Sequence, residues 1–203
     1  ELLEHHVFLS VGHDEYWSAA GRDAVALVSC ARVLATPLGR QVAAALRRRA
    51  PLRAVVALPD GERGKTLAAV ERAAGRLLAA GLTRRSLVVA MGGGAVPDAA
   101  GFLAAIFMRG LDWAAIPTTL LAMVDAALGG KTAVNLPVAK NALGAFHPPL
   151  AVLSDPRTLR SLPGRELRSG FGEALEYGLL RPPLLPAMAA EARRGRGGPG
   201  RPA

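Results

Sequence analysis

Leu87-Val-Val-Ala-Met91 runs without interruption into Gly92-Gly93-Gly94, and Ala95-Val96-Pro97-Asp98 opens a further apolar stretch that reaches Phe107. A short apolar run containing two β-branched residues reads as a buried strand, and the longer run after it, residues 95–107, reads as a helix. A strand that passes through glycines straight into a helix is the entry to a βαβ unit. Glycines at such a turn let backbone N–H groups approach a bound pyrophosphate, and the helix N-terminus adds a dipole that favours negative charge. The run is not the G-x-G-x-x-G fingerprint, so by itself it indicates a nucleotide site only moderately.

The same alternation extends in both directions. Residues 24–29 and 53–58 read as buried strands, with a helix over 37–49 between them. A second helix is expected over 65–80, where Leu67, Val70, Ala74, Leu77 and Leu78 recur at helical spacing and Gly81 caps the end. Residues 113–116 form a short strand closed by Pro117, 118–128 a helix, 129–146 an irregular turn-rich stretch and 151–154 a last strand. A helix over 164–180 opens a region of different, all-α character. The expected fold class is α/β, a Rossmann-like domain with a mostly parallel sheet, followed by the start of an all-α domain. The expected division is an atypical segment 1–23, the α/β domain 24–160, the beginning of the helical domain 161–192 and a disordered Arg/Gly/Pro tail 193–203.

Bulk properties narrow the function. The 203 residues are 51% hydrophobic but only 4% aromatic, and alanine and glycine suit close helix-on-sheet packing. No uninterrupted apolar run reaches the length of a membrane span, and residues 1–6 lack a signal-peptide pattern, so a cytoplasmic protein with no membrane partner is expected. One cysteine, Cys30, excludes an internal disulfide and a multi-cysteine zinc cluster. The net charge of +9 raises the possibility of nucleic acid. The arginines are scattered outside the tail, however, which makes that partner the weaker reading. His13, Asp14, Glu15, Tyr16 and Trp17 could pass for a metal cluster, but consecutive residues point in different directions.

Of 25 basic residues only Lys65, Lys131 and Lys140 are lysines, and all three stand beside glycine-rich or turn sequences. A chain so biased toward arginine is expected to keep lysine where a compact ammonium is needed, with three chance surface lysines as the alternative. Pro59-Asp60-Gly61-Glu62 followed by Lys65-Thr66 links a strand to a helix at the edge where open α/β sheets bind ligands. Glu62 could hold ribose hydroxyls and Lys65 could contact a cofactor, although the stretch alone reads equally as a capped turn. Thr118 and Thr119 open a helix in which Asp125, a carboxylate among apolar residues, needs a partner. Lys131, Lys140 and the chain's two asparagines, Asn135 and Asn141, crowd the next few residues. With Asp125 they read as a polar pocket for an anionic polyol.

Read in order, Met-Gly-Gly-Gly-Ala-Val-Pro-Asp (91–98), Phe-Met-Arg-Gly (107–110), Pro-Thr-Thr-Leu-Leu-Ala-Met-Val-Asp (117–125), Gly-Gly-Lys-Thr (129–132), Lys140-Asn141, Gly-Ala-Phe-His (144–147) and Glu-Leu-Arg-Ser-Gly-Phe-Gly-Glu (166–173) resemble the 3-dehydroquinate synthases. These are sugar phosphate cyclases. The resemblance covers roughly residues 24–180. It implies a carbon–oxygen lyase of the shikimate pathway, and so of aromatic amino acid biosynthesis. Such an enzyme converts a phosphorylated keto acid, 3-deoxy-arabino-heptulosonate 7-phosphate, to 3-dehydroquinate with elimination of phosphate. NAD is used and regenerated, with a divalent metal, zinc or cobalt, as Lewis acid. The residues implied for NAD are Asp60, Gly61, Glu62, Lys65, Gly92, Gly93, Gly94, Ala95, Val96, Asp98, Thr118 and Thr119, with a further turn formed by Thr158, Leu159, Arg160 and Ser161. Lys131, Lys140 and Asn141 fall at cofactor and substrate. Lys131, Asp125, Arg109 and Asn141 carry the chemistry, Glu173 is a metal ligand, and His147 is a loop residue.

The chain departs from the family pattern in places. Two histidines of the family's later helical domain and further basic residues there have no counterpart, so the chain is expected to be a fragment that retains the NAD-binding fold. Glu176 stands where the family usually has a substrate-contacting lysine. Pro97 replaces a small residue and removes an N–H donor. Cys30 and Arg32 replace polar groups at the adenosine end, and residues 1–23 do not fit the family's opening strands. A homodimer is implied by family analogy. The alternatives are another sugar phosphate cyclase, such as a 2-deoxy-scyllo-inosose synthase, and a non-catalytic basic binder of nucleic acid that would use the tail.

Overall fold

Val25–Cys30 (β2) and Leu87–Gly92 (β4) are buried along their whole length, which requires cover on both faces of the sheet they form. The computed structural model describes residues 7–9, 22–181, 183, 185–186 and 189–190. Within them, Leu52–Leu58 (β3), Asp112–Pro117 (β5) and Ala151–Ser154 (β8) join β2 and β4 in one sheet, with Val7–Leu9 (β1) at its edge. The strand order is β1-β8-β5-β4-β2-β3, parallel throughout except for β1, which runs antiparallel to β8.

Side chains alternate across the sheet with the two-residue period of a strand. Ala26, Val28 and Cys30 of β2 and Val88 and Ala90 of β4 join one core, whereas Val25, Leu27, Leu87, Val89 and Met91 join the other. Pro37–Arg49 (α2) covers the second face through Ala43, Val42 and Leu46, after a short helical turn, Ala31–Leu34 (α1). Leu67–Ala79 (α3) and Ala95–Ile106 (α4) cover the first face, with Leu77, Leu103 and Trp113 among its largest fully buried side chains. Each such side chain contributes about 1.5–3 kcal/mol of apolar burial. Helix starts follow local chemistry: Thr36 accepts from Gly39 N–H at 3.0 Å ahead of Pro37, and Thr66 accepts from Ala69 N–H at 3.2 Å.

Three sequence expectations need correction. The helix expected from Lys65 begins at Leu67, because residues Gly61–Gly64 form a 3-10 turn and Thr66 serves as the cap. The helix expected over 118–128 shrinks to a short stretch containing a π-helical turn, Ala122–Ala126. The stretch 129–146 is a β-hairpin, Lys131–Leu136 (β6) and Ala139–Phe146 (β7), paired antiparallel. Only β6 has a buried side, through Thr132 and Val134, so the sequence carries almost no alternation over β7 to announce a strand. The last helix, Gly164–Leu180 (α5), lies where it was expected. The cluster His13–Trp17 and the tail 193–203 lie outside the described residues, as does all of segment 1–23 except Val7–Leu9, Arg22 and Asp23.

The hairpin seats on α4 at Gly101. A Cβ there would lie 2.5 Å from Thr132 Cγ2 and 2.9 Å from Trp113 Cζ2. Beyond the hairpin, Trp113 Nε1 donates to His147 O at 2.9 Å and His147 Nε2 lies 2.8 Å from Leu111 O, pinning the end of β7 to the sheet. In an isolated helix Gly101→Ala would stabilise by about 1 kcal/mol. Here it should destabilise by about 1–3 kcal/mol through overpacking, seen as a lowered thermal midpoint. An unchanged or raised midpoint would mean that the hairpin does not rest on α4.

Candidate cofactor-binding site

The chain proceeds from β2 to β3 on one side and then returns to place β4 on the other side of β2. Connections diverge at that reversal and leave a crevice beyond the carboxyl ends of the strands, where open α/β sheets bind ligands. Ser29 Oγ donates to Met91 O at 2.5 Å and fixes β2 to β4 at this edge. Gly92 O accepts from Thr118 N–H at 2.9 Å, bringing the end of β5 alongside. A Cβ on Gly92 would sit 2.6 Å from Val96 Cγ2, and one on Gly93 would sit 2.9 Å from Thr119 Cγ2. Any larger residue would therefore push the turn open. The twelve-residue helix α4 starts there without a side-chain cap, and in its first turn Val96 N–H turns back to Gly93 O at 2.9 Å. Pro97, in the first turn, costs α4 no internal hydrogen bond but does remove one N–H donor.

Lys65 and Asp98 form an ion pair at this edge. Lys65 Nζ donates directly to Asp98 Oδ2, joining the loop after β3 to the first turn of α4. Lys65 is only 5% exposed. Burial raises the Asp98 carboxyl above its ordinary range, the Lys65 ammonium opposes the rise, and the negative charges of Asp125 and Glu62 add to it.

The hairpin closes the opposite wall. Asn135 N–H donates to Lys65 O at 2.9 Å, and Asn135 Nδ2 donates to Glu62 Oε2 at 2.6 Å. Asn135 Oδ1 in turn accepts from Asn141 N–H at 2.9 Å, and Asn141 sits in the left-handed region at φ 54°. Between hairpin, α4 and the π-helical turn lies a cavity of about 350 Å³ whose lining includes Asp98, Asp125, Lys131, Asn141 and Phe146. Helix α5 packs on that turn through Gly170, where a Cβ would come within 2.5 Å of Leu121 N. This brings Glu173 within electrostatic reach of Asp125 and Lys131. Burial first, then repulsion from Asp125 and Glu176, raises the Glu173 carboxyl, with Lys131 opposing. Tyr177 is raised by burial and by the Asp125 charge.

The expected site residues divide into groups. Asp98, Asp125, Lys131 and Asn141 line one cavity; Lys65 and Glu62 are tied to it by the contacts above; Gly92, Gly93, Gly94, Ala95, Val96, Thr118 and Thr119 form the adjoining strand-to-helix edge. Asp60 precedes Gly61 after the end of β3, and its Oδ1 is buried with no hydrogen-bond partner. Beside it, burial and the Asp60 carboxylate raise the Cys30 thiol. Lys140 is exposed on β7, and the turn Thr158, Leu159, Arg160, Ser161 follows β8 at the same edge without lining the cavity. Arg109 is not brought to it. It follows α4 at the amino end of the sheet, with φ 69°, next to Met108 at φ 51°. Among the described residues no three His, Cys, Asp or Glu side chains converge closely enough to hold a metal ion, so Glu173 does not form a metal site with its neighbours. Asn135 is expected from sequence only as one polar group of the polyol pocket, with no sign of its contacts to Glu62 and Lys65; Tyr177 is not among the expected residues, because its position depends on how α5 packs.

Residues 55–169 match the family model described as 3-dehydroquinate synthase N-terminal. The chain is 52% identical over 152 residues to the 3-dehydroquinate synthase of Solibacter usitatus, covering 71% of this chain and 43% of that protein. Among solved structures it is similar to a 2-deoxy-scyllo-inosose synthase complexed with carbaglucose-6-phosphate, NAD+ and Co2+, with TM-score 0.70 and 33% identity over 77% of this chain and 43% of the other. It is also similar to the 2-epi-5-epi-valiolone synthase of Streptomyces hygroscopicus with NAD+ and Zn2+ bound, with TM-score 0.68 and 35% identity over 75% and 42% of the two chains. The chain spans between 33% and 43% of the length of curated relatives that it matches.

Removing Lys65 should expose the cost of the pair. Lys65→Met leaves Asp98 buried beside other carboxylates, and should destabilise the fold by about 3 kcal/mol near pH 7. Without the ammonium the folded-state pKa of Asp98 rises further above its unfolded value. The folded variant then holds the proton more tightly than the unfolded chain, so the deficit should shrink as pH falls from about 7 toward 4. Urea unfolding at several pH values checks this; a deficit that grows on acidification would contradict it.

Proposed function

The chain belongs to the 3-dehydroquinate synthase family, and from that premise we propose that it binds NAD at the carboxyl edge of its sheet and supplies the nucleotide-binding part of the 3-dehydroquinate synthase reaction. The supporting observation is that the first turn of α4 with Asp98, the π-helical turn with Asp125 and the hairpin with Lys131 and Asn141 line one cavity, and that Asp98 and Asn135 tie the loop carrying Lys65 and Glu62 to it. The residues present fit a dinucleotide. Backbone N–H groups at Gly93, Gly94 and Ala95, together with the α4 dipole, suit a pyrophosphate where no Cβ crowds it. The orphaned Asp60 Oδ1 and the Glu62 carboxylate can accept from ribose hydroxyls.

The substrate in this reading is 3-deoxy-arabino-heptulosonate 7-phosphate and the product 3-dehydroquinate, formed with loss of phosphate in the shikimate pathway. Bound NAD supplies reversible oxidation of a ring alcohol, which acidifies the neighbouring C–H. The chain's own residues bind and orient: the Lys131 ammonium attracts an anionic polyol, the Asn141 amide holds a hydroxyl, and Asp125 accepts a hydroxyl proton through its carboxylate. Zinc or cobalt belongs to the solved cyclases above; the described donors of this chain do not make a site for it, so no step is assigned to a metal. A cytoplasmic location and a homodimer go with the family reading. The dehydroquinate branch is preferred over the inosose branch because the curated dehydroquinate synthase is 52% identical, against 33% for the inosose synthase.

Calorimetric titration of the whole chain with NAD tests the reading. Binding is expected, and Asp98→Ala and Lys131→Ala should each weaken it about tenfold or more, corresponding to about 1.4 kcal/mol or more. A folded sample with no heat of NAD binding would remove the assignment.

A further inference from the structure

Asn135 belongs to the polar cluster read from sequence as a polyol pocket, but its contacts do something else: they hold together two segments that are far apart in sequence. Its backbone N–H reaches Lys65 O at 2.9 Å, and Thr66 and Asn135 form an isolated parallel bridge. Its side-chain amide spans the gap in both senses, donating from Nδ2 to Glu62 Oε2 at 2.6 Å and accepting on Oδ1 from Asn141 N–H at 2.9 Å. Asn141 sits at φ 54°, in the left-handed region that asparagine adopts more readily than other side-chain-bearing residues. The strand is irregular at this point, with its register shifting between Val134 and Leu136. Such a bulge re-aims a side chain out of the ladder. A carboxylate at this position could accept from Asn141 but could not donate to Glu62, and alanine could do neither.

We propose that Asn135 is a positioning residue that locks the hairpin to the nucleotide loop, holding Asn141 and Glu62 side by side on one wall of the nucleotide cleft. The role rests on the NAD reading above, while the tie itself does not. Two polar segments, one bearing Lys131 and Asn141 and the other Glu62 and Lys65, then move as one wall of the cleft. Without the side-chain tie the hairpin keeps its seat on α4, the backbone bond to Lys65 O and the pin at His147, but the far part of β7 is exposed, with Phe146 84% accessible.

Reversal of the hydrogen bond separates positioning from bulk packing. Asn135→Asp keeps the acceptor for Asn141 but sets two carboxylates against each other; adding Glu62→Gln restores a donor, now from the other side. Hydrogen exchange and thermal melting of the unliganded full chain should show the Asn141 amide less protected and the midpoint lower in Asn135→Asp, with both recovering in the double variant. Equal protection and midpoint in the single and double variants would overturn the tie. In calorimetry Asn135→Asp should weaken NAD about tenfold, the scale of a lost charge-assisted hydrogen bond. Unchanged NAD affinity in a variant that has lost the tie would overturn the positioning role. Intact coupling in a wild-type chain that binds no NAD would instead remove the dinucleotide reading, and the positioning role with it.

Discussion

The buried contact between Lys65 and Asp98 is the constraint on which the cleft depends. Each group alone would be costly to remove from water, and each is anchored on a different segment, the loop after β3 and the first turn of α4. Their pairing therefore fixes where the glycine turn lies relative to the loop with Asp60 and Glu62. The hairpin then adds to a wall that is already in place, through Lys65 O and the Glu62 carboxylate. Asp98 remains raised even with the ammonium in contact, because burial and the carboxylates of Asp125 and Glu62 outweigh it. That balance leaves the cleft with carboxylates and ammonium groups close together, a setting suited to holding hydroxyl-rich ligands.

Charge is less evenly matched on the side of α5. Asp125, Glu173 and Glu176 face one another across the π-helical turn, with Lys131 opposing them at Glu173. Glu176 adds negative charge beside Glu173. The two halves of the cleft differ in character: the sheet edge is built from backbone donors and the Lys65–Asp98 pair, whereas the α5 side gathers the Asp125, Glu173 and Glu176 carboxylates around Lys131. Phe171, Leu175 and Leu179 of α5 are exposed as well.

Much of this organisation was legible in the sequence because it depends on local chemistry. The strand, the glycine turn and α4 follow from five apolar residues, three glycines and an apolar helical run, and α2 lies over the 37–49 expected for it. The hairpin did not. Its outer strand β7 is exposed along nearly its whole length, so no alternation marks it, and glycine, proline and asparagine around it read as loop. The π-helical turn was also hidden, since Leu120 to Ala126 has ordinary helical composition and only packing against Gly170 distinguishes it. Arg109 shows the limit in the other direction: its motif was recognisable, but only the three-dimensional path of α4 places it at the far end of the sheet. Pairwise partners such as Asn135 with Glu62, 73 residues apart in sequence, leave no local signature.

Backbone amide shifts followed through an NAD titration of the full chain test most directly whether these segments form one site. The account predicts saturable changes at Gly93, Gly94, Lys65 and Asn141 together, while Arg109 at the opposite edge stays still. Changes confined to the amino edge, or none in a folded chain, would contradict it.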